Sequence, residues 1–251
     1  MSDIVNPNTD SGAPEVSIIM PCLNEAETLA ACINEAQGAL RAYNLTGEII
    51  VADNGSTDGS PEIAMHHGAR LIRVPAKGYG SALRGGIDAA RGRYIIMGDA
   101  DGSYDFKDII KFVERLRGGY DLVVGNRFCG GIKPGAMPAL HRYFGVPALS
   151  FLGRALHGFP PCRDFHCGLR GISRAAAERM NLRTSGMEFA SEMIVKATAN
   201  KMRMIEVPTS LSPAGRKRRS HLRAWRDGWR HVSLLLRETH FPFALSRKKP
   251  H

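Results

Sequence analysis

Five short apolar runs, most of them rich in β-branched residues, recur along the first half of the chain: 16–20 (VSIIM), 48–52 (EIIVA), 70–74 (RLIRV), 94–97 (YIIM) and 121–124 (DLVV). Such runs, too short for helices and closed by Gly, Pro or Asp, read as buried strands. Between them lie segments with helical spacing, at 25–43, 61–67, 80–90 and 108–117. The first carries Leu29, Ile33, Ala36 and Leu40 three or four positions apart. Continuous apolar strands alternating with amphipathic helices predict an α/β domain, a Rossmann-like, mostly parallel sheet covered by helices on both faces. A last strand is predicted over 202–207, after a weakly amphipathic stretch at 142–159.

Ligands of such sheets bind beyond the carboxyl ends of the strands. Polar, acidic or glycine residues stand at every one of those exits: PCLNE (21–25), DNGSTDGS (53–60), PAKGYG (75–80), GDADGSYD (98–105) and GNRF (125–128). Asp99-Ala100-Asp101 puts two carboxylates on one tight exit, a donor set that suits Mg²⁺ or Mn²⁺ sharing its shell with substrate phosphates. Such a cation would neutralise charge on a departing nucleoside diphosphate. Asp53 can accept hydrogen bonds from a ribose hydroxyl or a base N–H, while Thr57 and Asp58 read as helix caps. Lys77, between Ala76 and Gly78, is placed to meet phosphate oxygens.

Composition narrows the partners. The 251 residues carry 34 basic and 24 acidic side chains, a net charge of +10. Eleven basic and two acidic residues fall within 216–251, leaving 23 against 22 in residues 1–215. A nearly neutral body thus carries a basic tail. A nucleic-acid-binding role is disfavoured, because acidic strand-exit loops would repel a phosphate backbone. The longest stretch without a charged residue, 143–153, is too short to span a bilayer. The polar, acidic start lacks the basic and apolar regions of a secretory leader, so the expected location is cytoplasmic. Five scattered cysteines without a CxxC pair are expected to be reduced thiols.

Taken in order and spacing, PCLNE, DNGSTDGS, KGYGSAL (77–83), DADGSYD (99–105) and GNRF resemble the family 2 glycosyltransferases of GT-A fold. The resemblance is nearest to dolichyl-phosphate mannose and glucose synthases and their bacterial polyprenyl-phosphate counterparts. It continues through RDFHCGLRGISR, GMEFASEM and EVP to HLRAWRDGWRH, covering about residues 16–238. It implies a nucleotide-diphosphosugar donor (UDP-glucose or GDP-mannose type), a divalent metal and inversion at the anomeric carbon. Pro21, Asn24, Glu25 and Asp53 would line the nucleotide, with Lys77 and Gly80 near it. Asp99, Ala100 and Asp101 would serve metal, ribose and diphosphate, with Ser103 as a short neutral third metal ligand. Arg127 and Arg142 resemble a pair that grips the acceptor's phosphate, whereas Val146 stands where a small polar residue is expected.

A polyprenyl phosphate is already an anion and needs no strong base, so Asp101, Arg127 and the metal would act by positioning and charge stabilisation. A sugar hydroxyl would need a base, and Asp164 or Glu188 are the candidates. Asp164 reads equally as a structural ion-pair partner, and Glu192 as the i,i+4 partner of Lys196. His141, His157, His166 and His221 are read as structural.

The chain divides on this reading into a disordered start (1–14), the GT-A domain (15–215) and a basic loop with an amphipathic helix (216–251). Arg216 and Arg219 of RKRR would close over donor and acceptor phosphates. Leu222, Trp225, Trp229, Val232 and Leu236 recur at three or four positions with arginines interleaved. This pattern suits a peripheral position on an anionic membrane surface, or packing on the catalytic domain. Similar enzymes often continue into transmembrane helices beyond this point.

Overall fold

The first strand, β1 (Val16–Cys22), is buried at all seven positions and sits in the middle of the sheet. It runs two residues past the predicted end, through Pro21. Its register against the second strand pairs Cys22 with Asp53, which sets the PCLNE and DNGSTDGS loops side by side. A computed structural model describes residues 12–215 and 224–239. In chain order the elements are β1, α1 (Leu29–Ala42), β2 (Gly47–Asp53), α2 (Ser60–His66), β3 (Arg70–Arg73), α3 (Tyr79–Ala89) and β4 (Tyr94–Met97). There follow α4 (Ile109–Arg117), β5 (Leu122–Asn126), α5 (Arg127–Gly130), α6 (Val146–Leu156), β6 (Arg170–Ser173), α7 (Arg174–Met180), α8 (Phe189–Ala199), β7 (Met204–Pro208) and α9 (Ala224–Glu238).

The sheet has seven strands in the order β3-β2-β1-β4-β6-β5-β7. Every pairing is parallel except those of β6, which runs antiparallel between β4 and β5. The expected mostly parallel α/β sheet is present, with one strand that hydrophobic patterning did not predict. β6 reads RGIS, with a single large apolar side chain, so neither alternation nor a continuous apolar run marks it. The sheet creates it instead: backbone groups of buried β4 and β5 need partners, and β6 supplies them on both sides. Gly171 lets it fit, since a Cβ there would lie 2.9 Å from Ile96 and 3.1 Å from Leu116.

Helices pack on both faces, and the side chains of β1, β4, β5, α1 and α4 form one core around Ile18, Ile33, Ile96, Phe106, Phe112 and Val123. The stretch after α5 forms a π-helical turn (His141–Gly145) that runs into α6. Helix α9 packs against α6 and α8. It buries His231, Leu234 and Leu235, each leucine contributing about 2 kcal/mol of apolar transfer, while Trp229 and Leu236 stay exposed. Its apolar residues are therefore divided between two faces. The stripe read from the sequence points outward at Trp229 and Leu236, and the leucines between them hold the helix to the domain. Among the described residues no helix is long and apolar enough to cross a membrane.

Candidate active site

Beyond β4 the chain turns sharply at Gly102, whose φ of 76° lies in the left-handed region open to glycine. Both carboxylates of the turn are anchored by hydrogen bonds. Asp99 Oδ1 accepts the Tyr79 hydroxyl at 2.8 Å, and Asp101 Oδ1 accepts the Ser103 N–H at 3.0 Å. Burial, together with the Asp99 carboxylate, pushes the Tyr79 phenol well above its ordinary pKa, so it remains the donor. Asp99 Oδ2 lies against Gly168, where a Cβ would come within 2.4 Å. The Ala100 carbonyl accepts the Thr28 hydroxyl at 2.7 Å. Among the described residues no three His, Cys, Asp or Glu side chains cluster closely enough to hold a metal alone. Two hard carboxylates on one turn fit a cation that completes its shell with diphosphate oxygens and water.

The turn opens onto a cleft of about 950 Å³. Pro21, Glu25, Lys77, Asp99, Ala100, Asp101, Ser103 and Arg127, all named from the sequence, line it together. An adjoining cavity of about 440 Å³ is lined by Asp53, Thr57 and Arg73, and Lys77 borders both. Three of the expected nucleotide residues also have structural partners; Asp53 lines the adjoining cavity, and Asn24 and Gly80 line neither. Asp53 is buried, and its carboxylate accepts the N–H groups of Gly55 and Ser56 at 3.2 and 3.0 Å, so it shapes its own loop. Asn24 accepts the Thr57 N–H at 2.7 Å and lies outside the cleft lining. Gly80 packs against 184–186, where a Cβ would meet the Thr184 carbonyl at 2.6 Å. Lys77 Nζ donates to the Asn54 carbonyl at 2.8 Å. Cys22 lines the cleft with its thiol pushed up to about 11 by burial, which leaves it a poor nucleophile.

Arg127 is buried at the start of α5, where Asn126 caps the helix by accepting the Cys129 N–H at 2.9 Å. Its guanidinium forks onto Asp164 through Nε at 2.8 Å and Nη2 at 2.7 Å, and its own backbone N–H reaches the same carboxylate at 3.1 Å. Asp164 is 0% exposed, which removes it as a base for any substrate and makes it the residue that orients Arg127. Glu206 of β7 supports the pair, accepting the Asp164 N–H and the Asn126 amide at 2.7 Å each. Arg142 does not join Arg127: its guanidinium lies 5.4 Å from the Tyr143 ring centre, while His141 and Val146 face the cleft.

Glu188 is engaged by an arginine through Oε1, while its Oε2 is buried with no hydrogen-bond partner among the described residues. Arg230 of α9 donates to it at 2.7 Å and to Ser185 at 3.2 Å. Glu192 accepts the N–H groups of Arg183 and Thr184 and pairs with Lys196, as its i,i+4 spacing suggested. Through Arg226, Arg230 and His231, α9 forms one wall of the cleft. The preceding segment is tied to the carboxylate turn, with Ser212 N–H on the Ser103 carbonyl at 2.9 Å and Gly215 N–H on the Asp101 carbonyl at 2.8 Å. Arg216 and Arg219 lie outside the described residues, and the basic run begins one peptide bond after Gly215.

Sequence reading passed over several residues that build the site. Asn54 spans two loops, donating to the Val74 and Ala76 carbonyls at 3.0 and 2.8 Å and accepting the Gly78 N–H at 2.7 Å. Tyr104 accepts the Gly168 N–H at 2.7 Å. Arg170 and His166 line the cleft from a strand and loop that patterning did not reveal. The place of Asn54 directly after an exit aspartate was the available clue.

Known proteins are similar to this chain in sequence and in fold. The family model described as glycosyl transferase family 2 matches residues 17–180. The low-salt glycan biosynthesis hexosyltransferase Agl6 of Haloferax volcanii is 42% identical over 225 residues, covering 89% of this chain and 54% of that protein. The chain thus spans about half the length of that relative. The dolichol-phosphate mannosyltransferase of Pyrococcus furiosus is 27% identical over 199 residues, covering 77% of this chain and 55% of its own. Among solved structures, glucosyl-3-phosphoglycerate synthase from Mycobacterium tuberculosis, in complex with Mn²⁺, UDP and glucosyl-3-phosphoglycerate, superposes with a TM-score of 0.71. The identity is 20%, and the match covers 92% of this chain and 82% of that one. With the family model spanning most of the domain that carries the cleft, the chain belongs to glycosyl transferase family 2 and has the GT-A fold.

Proposed function

We propose that the protein moves a hexose, with inversion, from a nucleotide-diphosphosugar to a polyprenyl phosphate at a membrane surface. One observation carries this reading. Both carboxylates that the sequence offered as bases are engaged by arginines, Asp164 by Arg127 and Glu188 by Arg230. A hydroxyl acceptor needs a group to take its proton, whereas a phosphate attacks as the anion it already is. In this scheme Asp99 and Asp101 would hold Mg²⁺ or Mn²⁺ against the donor's diphosphate, and the cation would offset charge on the leaving nucleotide. Lys77 stands between the two cavities, where base and diphosphate would meet. Arg127, fixed by Asp164, would orient the acceptor's phosphate for attack on the anomeric carbon. The basic run 216–219, which follows Gly215 in sequence, would cover both phosphates.

The surface supports a lipid-borne acceptor. Tyr143, Phe144, Phe151 and Phe159 are exposed on and around α6, Trp229 is exposed on α9, and the two helices pack together. Large apolar side chains beside arginines suit the interface of an anionic bilayer. The Pyrococcus relative's name includes a dolichol phosphate, in keeping with such an acceptor.

The test is transfer itself. Purified protein with Mg²⁺ or Mn²⁺ and labelled UDP-glucose or GDP-mannose should move label into an organic extract only when a polyprenyl phosphate is present, with the anomeric configuration inverted. Transfer to a soluble saccharide without lipid phosphate would overturn the reading. Replacing Arg216, Lys217, Arg218 and Arg219 together with Gln should abolish transfer while donor binding partly survives.

A further inference from the structure

Two groups lining the cleft stand apart from the arrangement described so far, the Arg170 guanidinium and the His166 ring. Arg170 is 3% exposed, yet among the described residues no carboxylate forms an ion pair with it. Its donors go to carbonyls: Nε to Cys167 at 2.7 Å, Nη1 to Ala190 at 2.6 Å, and Nη2 to Phe165. Carbonyls satisfy hydrogen bonds without cancelling charge, and Asp164, the carboxylate that offsets Arg170 in part, is already forked by Arg127. His166 is the second. Its two ring nitrogens are buried and meet no hydrogen-bond partner among the described residues, and its ring meets His231 edge-on at 4.5 Å. Burial, reinforced by His231, Arg127 and Arg170, holds the imidazole neutral.

Their place follows from the sheet. Arg170 of β6 is paired with Met97 of β4 on one side and with Val124 of β5 on the other. Two residues past Met97 is Asp99, and three past Val124 is Arg127. Arg170 therefore stands between the carboxylate turn and the arginine fork, and both it and His166 line the cleft that joins them. A group held there lies between the donor's metal-bound diphosphate and Arg127, where an attacking phosphate must be.

We propose that Arg170 and His166 form the floor of a phosphate subsite, and that the group it takes is a phosphate monoester, the head group of the acceptor. The inference rests on the acceptor class proposed above. A phosphate oxyanion supplies the negative charge that Arg170 lacks and an acceptor for a ring N–H of His166. The competing role for Arg170 is a structural staple of the 165–167 loop and Ala190, and the two roles predict opposite outcomes.

The test compares Arg170→Met, Arg170→Lys, His166→Phe and His166→Gln with the unaltered protein by titration calorimetry. The probes are geranyl monophosphate, inorganic phosphate, and UDP with Mn²⁺. Arg170→Met and His166→Phe should each weaken both monophosphates by about tenfold or more, the value of one charge-assisted hydrogen bond, while UDP with Mn²⁺ changes far less. Arg170→Lys and His166→Gln, which keep a charge or a polar contact, should lose less. Arg170→Met also strips the Cys167, Ala190 and Phe165 carbonyls of their donor, so its melting temperature should fall on either role and the monophosphate affinity decides. Unchanged monophosphate affinity with a lowered melting temperature would make Arg170 a staple and overturn the proposal. Equal weakening of all three probes would assign the site to the donor's diphosphate and also overturn it. If Arg170→Met does not fold, His166→Phe and Arg170→Lys decide by the same criteria. Inorganic phosphate separates the two claims: if it binds in a manner dependent on Arg170 but no lipid phosphate is glycosylated, the subsite stands and the acceptor assignment falls.

Discussion

Arg127 holds both carboxylate oxygens of Asp164, at 2.7 and 2.8 Å, at the edge of a cleft that Asp164 itself does not reach. Removing one member of a buried pair leaves the other charge stranded, at a cost of about 3–5 kcal/mol. Asp164→Asn should therefore lower stability by roughly 3 kcal/mol in urea unfolding and lose turnover with it, because Arg127 is released. Intact stability with turnover lost at every pH would instead mark a base.

Gly168 and Asp99 define a second relationship with a measurable consequence. A Cβ at Gly168 would lie 2.4 Å from Asp99 Oδ2, so Gly168→Ala must displace that carboxylate. Overpacking of this kind costs about 1–3 kcal/mol, and its larger effect should fall on the metal. The melting-temperature rise that UDP with Mn²⁺ gives the unaltered protein should largely vanish in the variant. Gly38→Ala, in helix α1 with open space around the new methyl, serves as a control and should keep that rise.

The sequence displayed the parallel half of this molecule well and the centre of the cleft poorly, for a physical reason. Strands β1, β2, β4 and β5 are buried apolar runs, and their exits carry PCLNE and the loops with Asp53, Asp99 and Arg127, so pattern and chemistry coincide. Strand β6 owes its existence to the strands beside it, and its RGIS sequence shows neither period nor apolar run. Arg170 was hidden for that reason, and His166, visible in the sequence, was read as structural because no partner at a defined spacing marked it. Asp164 and Glu188 were visible as carboxylates, but their use depended on arginines 37 and 42 residues away. The division of α9 into a buried leucine face and an outward Trp229 was equally hidden, because helical spacing shows a stripe without showing what covers it.

Arg230 and Glu188 hold α9 to α8 across the cleft wall, with side chains 32% and 7% exposed. Partial exposure limits the pair, and a double-mutant cycle with Arg230→Met and Glu188→Gln should give a coupling of about 1 kcal/mol. Arg230→Met should also speed amide exchange along 224–238. Glu188→Gln should retain measurable transfer to a phosphate acceptor, an outcome that a catalytic base at this position would not allow.

The packing of α9 should also be sensitive to acid, and the sign follows from His231. Burial lowers its pKa from 6.5 to about 4, with Arg170 and Arg230 adding to the shift and Asp227 opposing it. The ring is held by Ser191 at 2.8 Å and faces His166, itself held neutral by burial beside three basic groups. Between those two pKa values the unfolded chain takes up a proton that the folded chain refuses. Acidification through that window therefore favours unfolding, and stability rises as pH returns toward neutrality. Linkage gives a loss of about 2 kcal/mol for His231 at roughly pH 5 relative to neutral pH, with His166 acting in the same direction. Urea unfolding at the two pH values should show this loss in the unaltered protein and a shallower slope in His231→Gln. Amide exchange should place the loosening first in α9, since both histidines lie where that helix meets the cleft. Parallel pH curves for the two proteins would mean that His231 takes up its proton within the fold, and that the α9 contact is open to water.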